Sequence, residues 1–168
     1  MLYRLPELTD KDLLQAYVRE HRDNHETGIS ASMGLSSSDY AEWVKRIRGN
    51  ALNGDAQWGK SLLYLCFHAE KLVGLLSIRY EMPRSLSEKY GDIGYGVRPS
   101  ERNKGYATEM LGYALSVCRE KGLSGVILGC YKDNPASAAV IRKNGGILTA
   151  EEDRGGEGRI RQYHRIDL

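Results

Sequence analysis

The chain has 168 residues, 41% of them hydrophobic and 27% charged, with a formal net charge of +2. That length and balance fit a single domain over residues 1–168 with a real core, and they argue against intrinsic disorder. Lys and Arg are scattered without a basic run, so neither a nucleic-acid nor a membrane surface is expected. The opening MLYRLPELTDKD lacks the basic and apolar regions of a signal peptide, and the longest apolar run, 62–67, is too short to span a bilayer. A cytoplasmic location is the default expectation. Cys66, Cys118 and Cys130 are odd in number and far apart, which suits reduced thiols. Cys66 and Cys118 read as small buried hydrophobes. Cys130 closes a strand near the expected site, but a nucleophile there needs a basic partner that the sequence does not identify.

Leu2, Tyr3 and Leu5 before Pro6 predict a short strand, and Thr9 or Asp10 can cap a helix through about Glu26 with the stripe Leu13, Leu14, Tyr17 and Val18. His21 and His25 are either metal ligands one turn apart or the solvated end of this helix. No third ligand accompanies them at suggestive spacing, so no metal is expected. Residues 28–38 form a Gly- and Ser-rich loop, and 36–39 supply caps for a helix carrying Tyr40, Trp43, Val44 and Ile47. A second glycine-rich loop spans 49–59. A short helix between two such loops is either a substrate-facing wall or a plain surface helix. Residues 61–69 and 72–80 are β-rich runs separated by Glu70-Lys71, which predicts a hairpin. A polar loop with Glu81, Pro83 and Glu88 is then expected over 80–90.

Residues 91–111, GDIGYGVRPSERNKGYATEML, organise the rest. Ile93, Tyr95 and Val97 mark a strand, Pro99-Ser100 breaks it, and a helical pattern begins beyond Gly105. A strand fed into a helix N-terminus through a glycine offers unpaired N–H groups and a positive dipole end to an anion such as a pyrophosphate. Gly105 lets a ligand approach the backbone, Ala107 keeps that approach open, and Arg102 and Lys104 add positive charge. The stretch is not a P-loop, which needs G-x-x-x-x-G-K-[ST]. Nor is it a Rossmann turn, because three strands precede it. Beyond it, Ala107, Leu111, Ala114, Leu115 and Cys118 share a helical face that ends at Gly122. Residues 126–131 read as a strand buried on both faces. Asn134 and Pro135 start another helix with Ala139 and Val140 on its buried side, stopped by 144–146. Residues 146–149 and 160–166 form a last hairpin around the polar loop 151–158.

The motifs V-R-P-S-E-R-N-K-G-Y-A-T-E-M-L at 97–111 and N-P-A-S-A-A-V-I-R-K-N-G-G at 134–146, in this order of elements, resemble the GNAT superfamily of acyl-CoA-dependent N-acetyltransferases. More narrowly, the chain is similar to a bacterial group of predicted acetyltransferases marked by I-G-Y-x-V-R-P-S-E-R-x-K-G-Y-A-T and N-G-G. The resemblance spans essentially the whole chain. It implies an α/β fold with a mixed central sheet splayed at its middle and flanked by helices, with acyl-CoA between the fourth and fifth strands. It implies that the main chain near Tyr95, Gly96 and Val97 pairs with pantetheine amides. The N–H groups of Arg102, Asn103, Lys104, Gly105, Tyr106, Ala107 and Thr108 would hold the pyrophosphate, and Asn134 and Ser137 would touch the cofactor's other side. Arg102 and Lys104 are alternatively solvated charges, and Asn134 a pure helix cap.

The implied reaction is transfer of an acetyl group from acetyl-CoA to a primary amine of a small molecule or peptide, by direct attack in a ternary complex. The Val97 N–H would face the developing oxyanion. Asp92 is the first choice of base, ahead of Glu81 and Glu88, and is alternatively a strand-end turn residue. Many family members carry a tyrosine acid at the position of Ile141. Tyr131 or Tyr163 would replace it, unless each is simply a core tyrosine. The different-class alternative is a non-catalytic acyl-CoA-binding regulatory module, and a third is an acyltransferase using a longer acyl-CoA. Homodimers are common in the family, and no sequence feature here tests for one.

Overall fold

The computed structural model describes residues 1–26, 28–153 and 158–168. Its elements run β1 (Leu2–Arg4), α1 (Lys11–Asp23), α2 (Tyr40–Leu52), β2 (Ser61–His68), β3 (Lys71–Arg79), α3 (Arg84–Tyr90), β4 (Ile93–Val97), α4 (Tyr106–Glu120), β5 (Gly125–Tyr131), α5 (Pro135–Lys143), β6 (Ile147–Asp153) and β7 (Ile160–Asp167). The strands form two antiparallel sheets, ordered β1-β2-β3-β4 and β5-β7-β6. The splay expected between the fourth and fifth strands is therefore wide enough to divide the sheet in two.

The period-2 alternation of β2 and β3 sorts their side chains between two cores. Leu63, Leu65, Phe67, Leu72 and Leu75 pack with Leu14, Tyr17, Trp43 and Ile47 of α1 and α2. Cys66, Val73, Leu76 and Ile78 pack on the other face with Met110, Leu111 and Ala114 of α4. The first sheet is thus covered on both sides, and β4 at its edge faces β5.

Several boundaries differ from the sequence expectation for physical reasons. The stretch read as a loop before β4 contains the seven-residue α3; Leu86 and Tyr90 are its only large apolar residues, too few for a periodic stripe. An Arg84–Glu88 pair at 2.7 Å supports it along one face. Helix α1 stops at Asp23, because His25 turns to a positive φ of 59°. Helix α2 continues through Gly49 to Leu52, since burial of Trp43, Val44 and Ile47 outweighs the roughly 1 kcal/mol that a helical glycine costs. The β2–β3 turn lies at Ala69-Glu70, one residue earlier than expected. Strand β5 is buried on one face only, through Val126, Leu128 and Cys130. In α5 the buried residues are Ala138 and Ile141, not Ala139 and Val140. Strand β6 runs on to Asp153, so part of the expected 151–158 loop is strand, and 154–157 lie outside the described residues.

Candidate active site

The two sheets meet at Asp92. Its N–H donates to Ile127 O at 2.7 Å, and its Oδ2 accepts from Ile127 N–H at 2.7 Å. Its Oδ1 accepts from the Ser87 hydroxyl of α3 at 2.6 Å, and the residue is only 6% exposed. Asp92 was expected first as a base, but both of its carboxylate oxygens are engaged, Oδ2 with β5 and Oδ1 with α3. Its place is the pin at the closed end of a gap. Of the other two carboxylates considered, Glu81 pairs with Lys60 and Glu88 with Arg84.

Beyond the pin the strands part, and the register shows what lines the gap. Arg79 N–H donates to Asp92 O and Arg98 N–H to Val73 O, so Gly94 and Gly96 belong to the hydrogen-bonded pairs with β3. The alternation of an antiparallel ladder then turns the N–H and C=O groups of Ile93, Tyr95 and Val97 toward β5. Val97 O receives Arg102 Nε at 3.1 Å. The Tyr95 side chain does more than its main chain was expected to do. Its hydroxyl lies 2.9 Å from Ser137 Oγ and donates to Ser137 O at 3.3 Å, reaching from β4 to the first turn of α5. Burial pushes this phenol up to about 12.

At the open end, the chain turns into α4 through two residues of positive φ. Asn103 and Gly105 have φ of 62° and 87°, and a Cβ on Gly105 would meet nothing within 4 Å. Among the described residues, the N–H groups of 103–107 have no protein acceptor, whereas Arg102 N–H points to Pro99 O and Thr108 N–H closes onto Gly105 O. Five consecutive N–H groups thus lack a protein acceptor among the described residues, whereas the resemblance implied a run of seven, 102–108. The nearby cations are partly exposed but paired. Arg102 makes a two-pronged pair with Glu26 at 2.6 and 2.9 Å. Lys104 pairs with Glu101, which also holds Lys71, and Arg98 lies 2.7 Å from Glu20. Glu20 also accepts from Ser100 N–H. Arg102 above all, with His21 and Asn24, holds the Glu26 carboxyl down to about 2, and Lys71 and Lys104 hold Glu101 at about 2. The end of α1 is thereby tied to the turn 80 residues away.

His21, expected as a ligand or a solvated residue, is neither: it is 2% exposed, bonds Glu26 through Nδ1 at 2.7 Å, and packs on Tyr17. Among the described residues no group of three or more His, Cys, Asp or Glu is placed to hold a metal, and no helix is long and apolar enough to cross a membrane.

On the α5 side, Asn134 Oδ1 accepts from Ser137 N–H at 3.0 Å, which is a helix cap. Ile141 is fully buried. Tyr131 and Tyr163 pair across the strands with Arg161 and Gly129, so they lie on the face of β5 and β7 opposite Leu128, Cys130 and α5. Tyr131 lies under the Arg159 guanidinium at 3.8 Å, and the buried Tyr163 donates to Lys89 O. Tyr131, expected as an acid, is therefore turned away from α5. Burial raises all three thiols, Cys118 to about 12, which leaves Cys130 a poor nucleophile. The remaining wall is the loop after α1. Ser30 presses on Gly96, where a Cβ would come within 3.0 Å of Ser30 O, Ala31 lies in van der Waals reach of Gly94, and Tyr17 donates to Gly96 O. Ala31 and Met33 hold φ of 62° and 47°, fixed by Trp43 and Arg46 donating to the carbonyls of Ser32 and Met33.

Solved structures of similar fold include three acetyltransferases. A putative acetyltransferase, yncA from Salmonella typhimurium, with its cofactor acetyl-CoA, matches with a TM-score of 0.71 at 15% identity, over 99% of this chain and 93% of that one. RimL, a ribosomal L7/L12 alpha-N-protein acetyltransferase in complex with coenzyme A, matches at 0.72 and 20% identity over 99% and 93%. The microcin C7 self-immunity acetyltransferase MccE, with acetyl-CoA and AMP, matches at 0.70 and 16% identity over 99% and 91%. No curated protein matches the sequence. At these identities the likeness is one of fold. The family model described as acetyltransferase (GNAT) domain matches residues 1–147, and the chain belongs to that family.

Proposed function

We propose that the protein transfers an acetyl group from acetyl-CoA to a primary amine of a small molecule or peptide. The observation that carries this is the pairing of five acceptor-free N–H groups at 103–107 with a strand edge that offers Tyr95 and Val97 to the same gap. That set fits a pyrophosphate joined to an amide-bearing arm, and the open space at Gly105 admits it. Acetyl-CoA supplies an acyl group activated as a thioester. The N–H groups of Asn103, Lys104, Gly105, Tyr106 and Ala107 hold the pyrophosphate, and the edge of β4 aligns the arm. The Val97 N–H is a fixed donor for the acyl oxygen as negative charge builds on it. Asp92 holds the gap at its closed end. Because Asp92, Glu20, Glu26 and Glu101 are all committed to internal partners, the amine proton leaves to water on the open side rather than to a protein carboxylate. Tyr95 is the phenol that reaches the gap and donates a proton to the departing sulfur, the role first expected of Tyr131.

The test is calorimetric titration with acetyl-CoA and with CoA, on wild type and on Gly105→Glu. Micromolar binding that the variant loses supports the reading. Absence of binding by well-folded wild type overturns it. Binding without transfer to any member of a broad amine panel would leave a regulatory acyl-CoA-binding module instead.

A further inference from the structure

The face of β5 and β7 away from α5 carries a cation that has no ion-pair partner among the described residues. The Arg161 guanidinium lies flat over Gly129, where a Cβ would come within 2.6 Å of Nη2 and 2.7 Å of Nε. Gly129 is two residues beyond Ile127, the partner of the Asp92 pin, so Arg161 sits where the gap begins to open. Tyr131 and Tyr163 flank it, with their ring centroids 5.9 and 5.6 Å away. Its Nη2 donates to Tyr90 O at 3.2 Å, while Nε is buried with no hydrogen-bond partner among the described residues.

Four neighbouring basic residues are matched, Arg159 with Asp133, Arg165 with Asp167, Arg84 with Glu88 and Lys132 with Glu151, while Lys89 lies over the Tyr90 ring. Among the described residues Arg161 has no such ion pair. On the other side of the same turn, Arg79 spends Nε and Nη2 on Gly91 O. The nearest buried carboxylate, Asp92, is already taken by Ser87 and Ile127. Two guanidiniums therefore face successive carbonyls at the head of the gap with positive charge left over. A planar fork with a spare N–H beside an aromatic ring is suited to binding a carboxylate or phosphate.

We infer that the acceptor carries an anionic group, a carboxylate or a phosphate, near its amine, and that Arg161 binds it. This rests on the acetyltransferase reading above and narrows its acceptor class. The Arg161 side chain lies on the face away from α4 and α5, so it meets the acceptor and not the pyrophosphate turn.

The experiment compares propylamine, β-alanine and 3-aminopropylphosphonate as acceptors for wild type, Arg161→Gln and Arg161→Lys. The same three compounds are titrated calorimetrically into the CoA-bound proteins, and acetyl-CoA affinity is measured alongside. Wild type is expected to favour at least one anionic amine over propylamine by about tenfold or more in kcat/KM. In Arg161→Gln that ratio is expected to collapse toward one and calorimetric binding of the anionic amine to be lost, with Arg161→Lys between the two. Retained acetyl-CoA affinity in the variants shows that fold and donor site are intact. No anion preference in wild type, or an equal loss for charged and neutral amines in Arg161→Gln, overturns the inference while leaving the acetyltransferase reading standing. Failure of wild type to bind acetyl-CoA overturns both. Preference for β-alanine over the phosphonate, or the reverse, identifies the anion.

Discussion

At the open end of the gap, Arg98, Arg102 and Lys104 each face a glutamate, Glu20, Glu26 and Glu101 respectively. At the closed end, Arg79 and Arg161 face backbone carbonyls, and among the described residues no carboxylate forms an ion pair with them. The difference separates two uses of positive charge. Cations matched by acids shape the backbone, so recognition at the turn falls to the N–H groups they hold in place. Unmatched cations leave their charge for whatever enters.

The comparison is broken most directly at Asp92, where the two ends are joined. Asp92→Ala is expected to lower stability by about 2–4 kcal/mol, because it removes a charged hydrogen-bonding group and strands the Ile127 N–H. Urea unfolding measures this. Asp92→Asn keeps an acceptor oxygen and is expected to retain turnover within about tenfold; a far larger loss in kcat with unchanged stability would return Asp92 to the role of base. Next in size, Gly105→Glu is expected to cost donor affinity about 100-fold, or about 2.7 kcal/mol, while Lys104→Gln costs only about threefold. Equal effects in a calorimetric titration would mean that side-chain charge, not backbone, holds the pyrophosphate.

Acid tests the matched end by itself. The Glu26 and Glu101 carboxyls are held down to about 2, so their contribution to stability is complete above the ordinary value near 4.5 and is lost as pH falls from there toward 2. Thermal melts across that window are expected to show a falling Tm, with a shallower fall in Glu26→Gln. The smallest effect belongs to Arg159, exposed and already paired with Asp133. Arg159→Gln is expected to change stability by about 0.5 kcal/mol or less and to leave the anion preference as it is. A collapse of that preference would move the anion site from Arg161 to Arg159.

What could be read from the sequence was local. The strand, break, glycine and helix of 91–111 lie within one short window, so the turn and its direction into α4 follow from neighbouring residues. The hairpin of β2 and β3 is legible for the same reason. The α3 helix was hidden because seven residues carry no period. Pairings across the chain were hidden as well. Nothing near Arg102 points to Glu26, 76 residues away, and nothing near Gly129 points to an arginine 32 residues later that needs its missing side chain. Tyr95 carried a usable signal, since its alternation with Ile93 and Val97 sends it to the α5 face, yet its meeting with Ser137 depends on where α5 begins. Asp92 was noticed for its position, but only its hydrogen bonds to Ile127 and Ser87 reveal that it closes the gap.

The three buried cysteines bear on how turnover can be followed. All are shielded and resist ionisation, Cys118 to about 12. Thiolate, not thiol, is the species that attacks a disulfide reagent. In a mildly alkaline assay the folded protein is therefore expected to be chemically silent toward such a chromogen, and the coenzyme set free in each cycle becomes the reporting thiol. Colour that develops before any amine is added would be a direct gauge of the unfolded fraction in the sample.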